Sequence, residues 1–131
     1  MAPTVLVVED NELNRMLFAH VLRLAGFAVV EAGDGAEGLS RTRESRPDLV
    51  LMDMDLPRLP GLELVRRLRA DPGLAATPVL AVSAFVCRRA EAEARALGCT
   101  GYVVKPVRPG ALVEAVRAGL GRGAARAASG G

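Results

Sequence analysis

The chain has 131 residues, half of them apolar and 24% charged, which is enough for one domain and too little for two. Acids or arginines break every apolar run short of the ~18 residues of a membrane span, the start lacks the regions of a signal peptide, and Cys87 and Cys99 have neither metal-ligand nor disulfide spacing. The pI near 8.9 does not mark a nucleic-acid binder, because without the C-terminal Arg117, Arg122 and Arg126 the remaining 14 basic side chains face 15 acidic ones.

Five β-rich apolar runs recur along the chain: Thr4–Val8, Ala28–Ala32, Leu49–Asp53, Val79–Ser83 and Gly101–Val104. They are nearly continuous hydrophobics, as strands buried on both faces require. Asn11 is placed to cap a first helix, whose core stripe reads Leu13, Leu17, His20, Val21 and Leu24, with Gly26 ending it. On that stripe His20 is a structural side chain. A second apolar pair, Phe18 and Leu22, lies roughly opposite. Asp34 and Glu37 have capping-box spacing for a second helix, with Pro47 beyond its end. A third helix runs from about Gly61 to Ala70, where Asp71-Pro72 stops it. A fourth runs from about Val86 to Leu97, and its stripe of Val86, Ala90, Ala94 and Leu97 buries little apolar area. The fifth starts near Pro109 and carries Leu112, Val116 and Leu120. Residues 1–120 thus form the domain, and 121–131, rich in Gly, Ala, Ser and Arg, read as a disordered tail.

Strict β-α alternation with right-handed crossovers gives a doubly wound parallel sheet with helices on both faces. All carboxyl ends of such a sheet lie on one edge. Strand one finishes in Glu9-Asp10, strand three in Asp53, strand four in Ser83 and strand five in Lys105. Lys105 is the only lysine among 17 basic residues, a compact cation placed where it can meet an anion. Three carboxylates gathered at ~4–5 Å repel by roughly 3–4 kcal/mol per pair at an effective dielectric near 20. A hard divalent cation relieves that repulsion, and Mg2+ suits an open site that keeps several waters.

These residues resemble the receiver domains of two-component response regulators over about 4–120. The motifs are Val-Val-Glu-Asp-Asn at 7–11, Leu-Met-Asp-Met-Asp-Leu-Pro at 51–57, Val-Ser-Ala-Phe at 82–85 and Lys-Pro at 105–106. The resemblance implies a flavodoxin-like (βα)5 fold with strand order 2-1-3-4-5. It implies that Asp53 takes a phosphoryl group from a phosphohistidine on a sensor histidine kinase or histidine phosphotransfer protein. Mg2+ would be held by Asp10, Asp53 and the backbone carbonyl of Asp55, with Glu9 acting mainly through water. Lys105 and the Ser83 hydroxyl would meet phosphoryl oxygens, Tyr102 would turn inward as the switch, and the Lys105-Pro106 bond would be cis.

In the same family the positions of Asp55 and Phe85 tune dephosphorylation, so Asp55→Asn is expected to change phosphate lifetime without abolishing phosphorylation. Phe18 and Leu22, with Asn14 and Arg15, either dock a partner's four-helix bundle or, for the apolar pair, pack against helix five. Output would pass through protein contact, to a downstream kinase or regulatory protein, without direct nucleic-acid binding or membrane insertion, in the cytoplasm. The segments 9–14 and 82–85 look most like the cell-division regulators of the DivK group, with chemotaxis-type regulators as the alternative. Two rival classes stay open: a phosphatase of the haloacid-dehalogenase type, because Asp53-Met-Asp55 imitates its motif, and a phosphorylation-independent interaction module. A receiver is not a turnover enzyme, so hydrolysis of a phosphomonoester discriminates.

Overall fold

The structure, a computed structural model, describes residues 2–56, 59–84 and 88–129, with side chains as far as Gly121. The five strands are β1 (Thr4–Val8), β2 (Ala28–Ala32), β3 (Leu49–Asp53), β4 (Val79–Ser83) and β5 (Gly101–Val104). They coincide with the five runs read from the sequence and form one parallel sheet in the order β2-β1-β3-β4-β5. The helices are α1 (Glu12–Leu24), α2 (Gly35–Ser45), α3 (Gly61–Ala70), α4 (Arg88–Ala96) and α5 (Pro109–Ser129). Every residue of β3 and β4 is buried, whereas the edge strands β2 and β5 are mostly half-buried.

Alternation of side chains along the strands splits the core into two layers. Leu6, Val8, Val50, Met52, Val79 and Ala81 point to one face, where Leu39 of α2, Leu64 and Leu68 of α3, and Ala94 of α4 cover them. Val5, Val7, Leu49, Leu51, Leu80 and Val82 point to the other, beneath Leu22 of α1 and Leu112 and Val116 of α5. The expected caps are present. The side chains of Asn11 and Asp34 accept from Asn14 N and Glu37 N, and Gly98 ends α4 with a φ of 82°.

One expectation needs correction. The core stripe of α1 is not Leu13, Leu17, His20, Val21 and Leu24: Leu13, Leu17 and Leu24 are 66%, 52% and 75% exposed, and His20 is exposed too. The buried stripe is Ala19 and Leu22, flanked by half-buried Arg15, Phe18 and Val21. Apolar residues occupy most of the circumference of this helix, so periodicity alone does not choose the inward face. Helix α5 extends from Pro109 to Ser129. Alanine is the best helix former, and extending an existing helix avoids the cost of nucleation. Val86, assigned to the stripe of helix four, lies outside the described residues.

Candidate functional site

The end of each central strand brings one or two polar groups to the carboxyl edge. Backbone pairing fixes their positions. The peptide N–H of Glu9 donates to Ala32 O at 3.1 Å, Met54 N to Val82 O at 2.8 Å, and Lys105 N to Ser83 O at 2.7 Å. Glu9, Asp53 and Ser83 are buried, at 1%, 5% and 3% exposure, while Asp10 is exposed at the rim. Ser83 stands one residue past Val82, the cross-strand partner of Asp53.

Asp53 is held from two sides. Asp55 N donates to its Oδ1 at 2.9 Å, and Lys105 Nζ donates to its Oδ2 at 3.1 Å. The same ammonium lies 3.2 Å from each carboxylate oxygen of Glu9, so one cation bridges the two buried acids. The Lys105-Pro106 peptide is cis. Burial, then the hydrogen bond and charge of Asp53, push the Glu9 carboxyl up to about 7 against the opposing pull of Lys105. Burial also acts to raise Asp53. Hydrogen bonds from Glu9, the Asp55 peptide and Lys105 outweigh it and hold Asp53 below its usual range. Burial would lower Lys105, yet its two carboxylate partners keep it above its ordinary value. The shared environment thus pushes the two acids apart, Glu9 upward and Asp53 downward.

One carboxylate oxygen from each of Glu9, Asp10 and Asp53 lies within 4.8 Å of the others. All three donors are hard oxygens, and the exposure of Asp10 leaves one side open to water. That donor set fits Mg2+. Asp55, named for its backbone carbonyl, has an exposed side chain whose Oδ2 lies 3.5 Å from the peptide nitrogen of Ala84. Tyr102 is half-buried and lines a cavity of about 200 Å³ with Ser83, Met54 and Ala90. Phe85 and Pro57, quoted within the motifs, lie outside the described residues.

The four docking residues read from the sequence separate. Leu22 is completely buried, and Phe18 packs against the cluster that contains Leu112 and Val116 of α5, so the packing alternative holds for that pair. Arg15 turns inward, its Nη1 donating to the backbone carbonyl of Glu9 at 3.0 Å. Asn14 and Phe18 line a groove of about 490 Å³ between α1 and the β5–α5 connection, and the Nδ2 of Asn14 is 3.4 Å from Glu9 Oε1. Sequence reasoning also missed Gly61. A Cβ there would lie 2.8 Å from Met54 Cα and 3.0 Å from the carbonyl oxygen of Asp53, so only glycine lets α3 start against the loop behind Asp53. No helical or strand period announces such a contact, because it is made across the β3–α3 connection.

The response regulator receiver domain family matches residues 5–117. The chain belongs to that family. Receivers switch on phosphorylation, within two-component signalling, with a histidine kinase or histidine phosphotransfer protein as the class of partner. The chain is 40% identical over 121 residues to the polar-differentiation response regulator DivK of Brucella anthropi, covering 92% of this chain and 98% of the relative. The DivK of Brucella ovis is 39% identical over the same share. The crystallised chemotaxis protein CheY4 of Vibrio cholerae superposes with a TM-score of 0.85 at 31% identity, covering 89% of this receiver and 98% of that chain. A CheY-like receiver domain protein from Methanospirillum hungatei superposes at 0.89 with 22% identity, over 96% of this chain and 99% of that one, a likeness of fold alone. No helix among the described residues is long and apolar enough to cross a membrane.

Proposed function

We propose that this receiver accepts a phosphoryl group on Asp53 from a partner phosphohistidine and relays the change through the face formed by α4, β5 and α5. The observation that carries the reading is the placement of Asp53. It is a buried anion at the end of a central strand, between an ammonium at 3.1 Å and a peptide N–H at 2.9 Å. In the transfer, a carboxylate oxygen of Asp53 forms the new P–O bond as the P–N bond to the donor imidazole breaks, and the imidazole leaves with the bonding pair. Lys105 exchanges part of its contact with Asp53 and Glu9 for a phosphoryl oxygen, and Ser83 donates its hydroxyl to another. Mg2+, held by Asp10, Asp53 and the Asp55 carbonyl with Glu9 behind them, would supply charge neutralisation at the phosphoryl oxygens. The chemistry ends with one group transferred, since the phosphoaspartate is itself the product.

The near-dianionic group then biases the switch. Ser83 gains a new acceptor, and the cavity beside it gives the ring of Tyr102 room to turn inward. The groove between α1 and the β5–α5 connection supports the choice of donor. It is lined by Leu17, Phe18, Val21, Pro106 and Leu112 and reaches Lys105 at its inner end. A helix of a histidine-bearing bundle seated there would bring its imidazole to Asp53. The α1 residues available to it are Asn14, Leu17, Phe18 and Val21, which line the groove, whereas Leu22 is fully buried. The names of the DivK relatives favour a polarity or cell-division pathway, with a downstream kinase or regulatory protein as target, over a chemotactic one.

Intact-mass measurement after incubation with acetyl phosphate and Mg2+ tests the reading. We expect one base-labile phosphoryl group, absent from Asp53→Ala and from chelator-treated protein. No adduct, in a folded protein that also fails to bind beryllofluoride, would leave only the interaction-module reading. Repeated turnover of a phosphomonoester would favour the haloacid-dehalogenase alternative.

A further inference from the structure

The acid pair Glu9-Asp10 sits just past the end of its ladder, since pairing of β1 with β2 finishes at Val8 and Ala32. Glu9 N–H still finds Ala32 O, but the Glu9 carbonyl, which belongs to the peptide joining the two acids, has run out of strand. Its hydrogen bond comes from Arg15 Nη1 at 3.0 Å. The guanidinium is in turn held. Arg15 Nε lies 3.6 Å from Glu31 Oε1 on β2, and the side chain is 21% exposed. Helix one, strand two and the acid pair are thus joined through one planar cation.

We infer that Arg15 is a positioning residue for the metal site: it fixes the Glu9–Asp10 peptide, and through it the direction in which Asp10 offers its carboxylate. The inference rests on the receiver reading above and adds a role to a residue that touches neither phosphoryl group nor cation. Electrostatics and positioning oppose each other here. As a bare positive charge near three acids, Arg15 repels a divalent cation, so its removal would tighten Mg2+ binding. As the group that immobilises the acid pair, its removal loosens the site and weakens binding, in the manner of outer-shell partners generally. The sign of the change separates the two.

The experiment is calorimetric Mg2+ titration of the full chain as wild type, Arg15→Ala, Arg23→Ala and Glu31→Gln, with melting temperatures and the metal-free carbonyl and amide chemical shifts of Glu9 and Asp10 recorded beside it. Arg23 is the control, because it also pairs with Glu31, at 3.4 Å, but does not reach Glu9. We expect Arg15→Ala to weaken Mg2+ about tenfold, with shifted Glu9 and Asp10 resonances before any metal is added. Glu31→Gln should weaken it by a smaller factor, and Arg23→Ala should stay within about twofold of wild type. Unchanged or tighter binding by folded Arg15→Ala overturns the inference, as does a lowered melting temperature with wild-type affinity and shifts. Should Arg15→Ala fail to fold, Glu31→Gln decides on the same two readouts. Wild-type protein that binds no Mg2+ sinks the receiver reading itself, a result distinct from a wild-type site that ignores Arg15.

Discussion

Glu9 is the residue on which the metal-free site turns. Its carboxyl is buried, pushed up from an ordinary 4.5 to about 7, and bridged by Lys105 to an Asp53 held below its usual range. The consequence for stability has a definite sign. Between those two values the unfolded chain has lost this proton and the folded protein keeps it, so the folded state binds more protons and stability falls as pH rises through the window. Asp53, lowered, adds stability that is lost only below its ordinary 3.8, and Lys105, raised above 10.5, acts only in strong base, so neither reverses the slope there. Urea midpoints of the chelator-treated protein should therefore drop from pH 5 to pH 7.5, and Glu9→Gln should flatten the profile. Mg2+ competes for the same acid pair, so its affinity should rise about tenfold between pH 6 and pH 8 in wild type. A flat wild-type affinity profile would show that Glu9 is already ionised at pH 6.

Helix α4 is the element most loosely attached along its length and most firmly attached at its end. Ala94 is its one buried residue, so little apolar area binds it to the sheet. At its C-terminal end, however, Arg69 of α3 reaches across. Nε donates to Leu97 O at 2.9 Å and Nη2 to Gly98 O at 3.1 Å, while Nη1 donates to Ala75 O and Thr77 O at 3.0 and 2.7 Å. Four carbonyls from two different connections, α3–β4 and α4–β5, share one guanidinium. Charge-assisted hydrogen bonds of this kind contribute more than neutral ones. Arg69→Met should cost about 2–3 kcal/mol. It should also speed amide exchange at Gly98 and Cys99, whose N–H groups close the last turn of α4 onto Arg95 O and Ala94 O. Unaltered exchange at those two amides would mean that α4 is held by packing alone.

Across the whole molecule, the orientation of α1 decides which apolar residues build the core and which meet a partner. Leu22 has no exposed surface and Leu17 is 52% exposed, although both are leucines on the same helix. Leu22→Ala should lose about 2–5 kcal/mol of stability. Leu17→Ala should change stability by no more than about 0.5 kcal/mol while slowing phosphoryl transfer from the cognate phosphohistidine protein. Its reaction with acetyl phosphate, which uses no docking surface, should keep the wild-type rate. Equal slowing with both donors would place the defect in the site and remove the groove from the docking reading.

By itself the sequence determined the five strands, the alternation that makes them parallel, and the polar residues at their ends. Each of these follows from local chemistry: continuous β-branched runs, Asn11 and Asp34 as caps, and a lone lysine before a proline. Tertiary structure decided the rest. It turned Ala19 and Leu22 of α1 inward, because that helix is apolar on most sides and only the fit to the sheet and to α5 distinguishes its faces. It drew Arg15 into the site and set Gly61 against the Asp53 loop, contacts made across strand–helix connections, which neither composition nor period records.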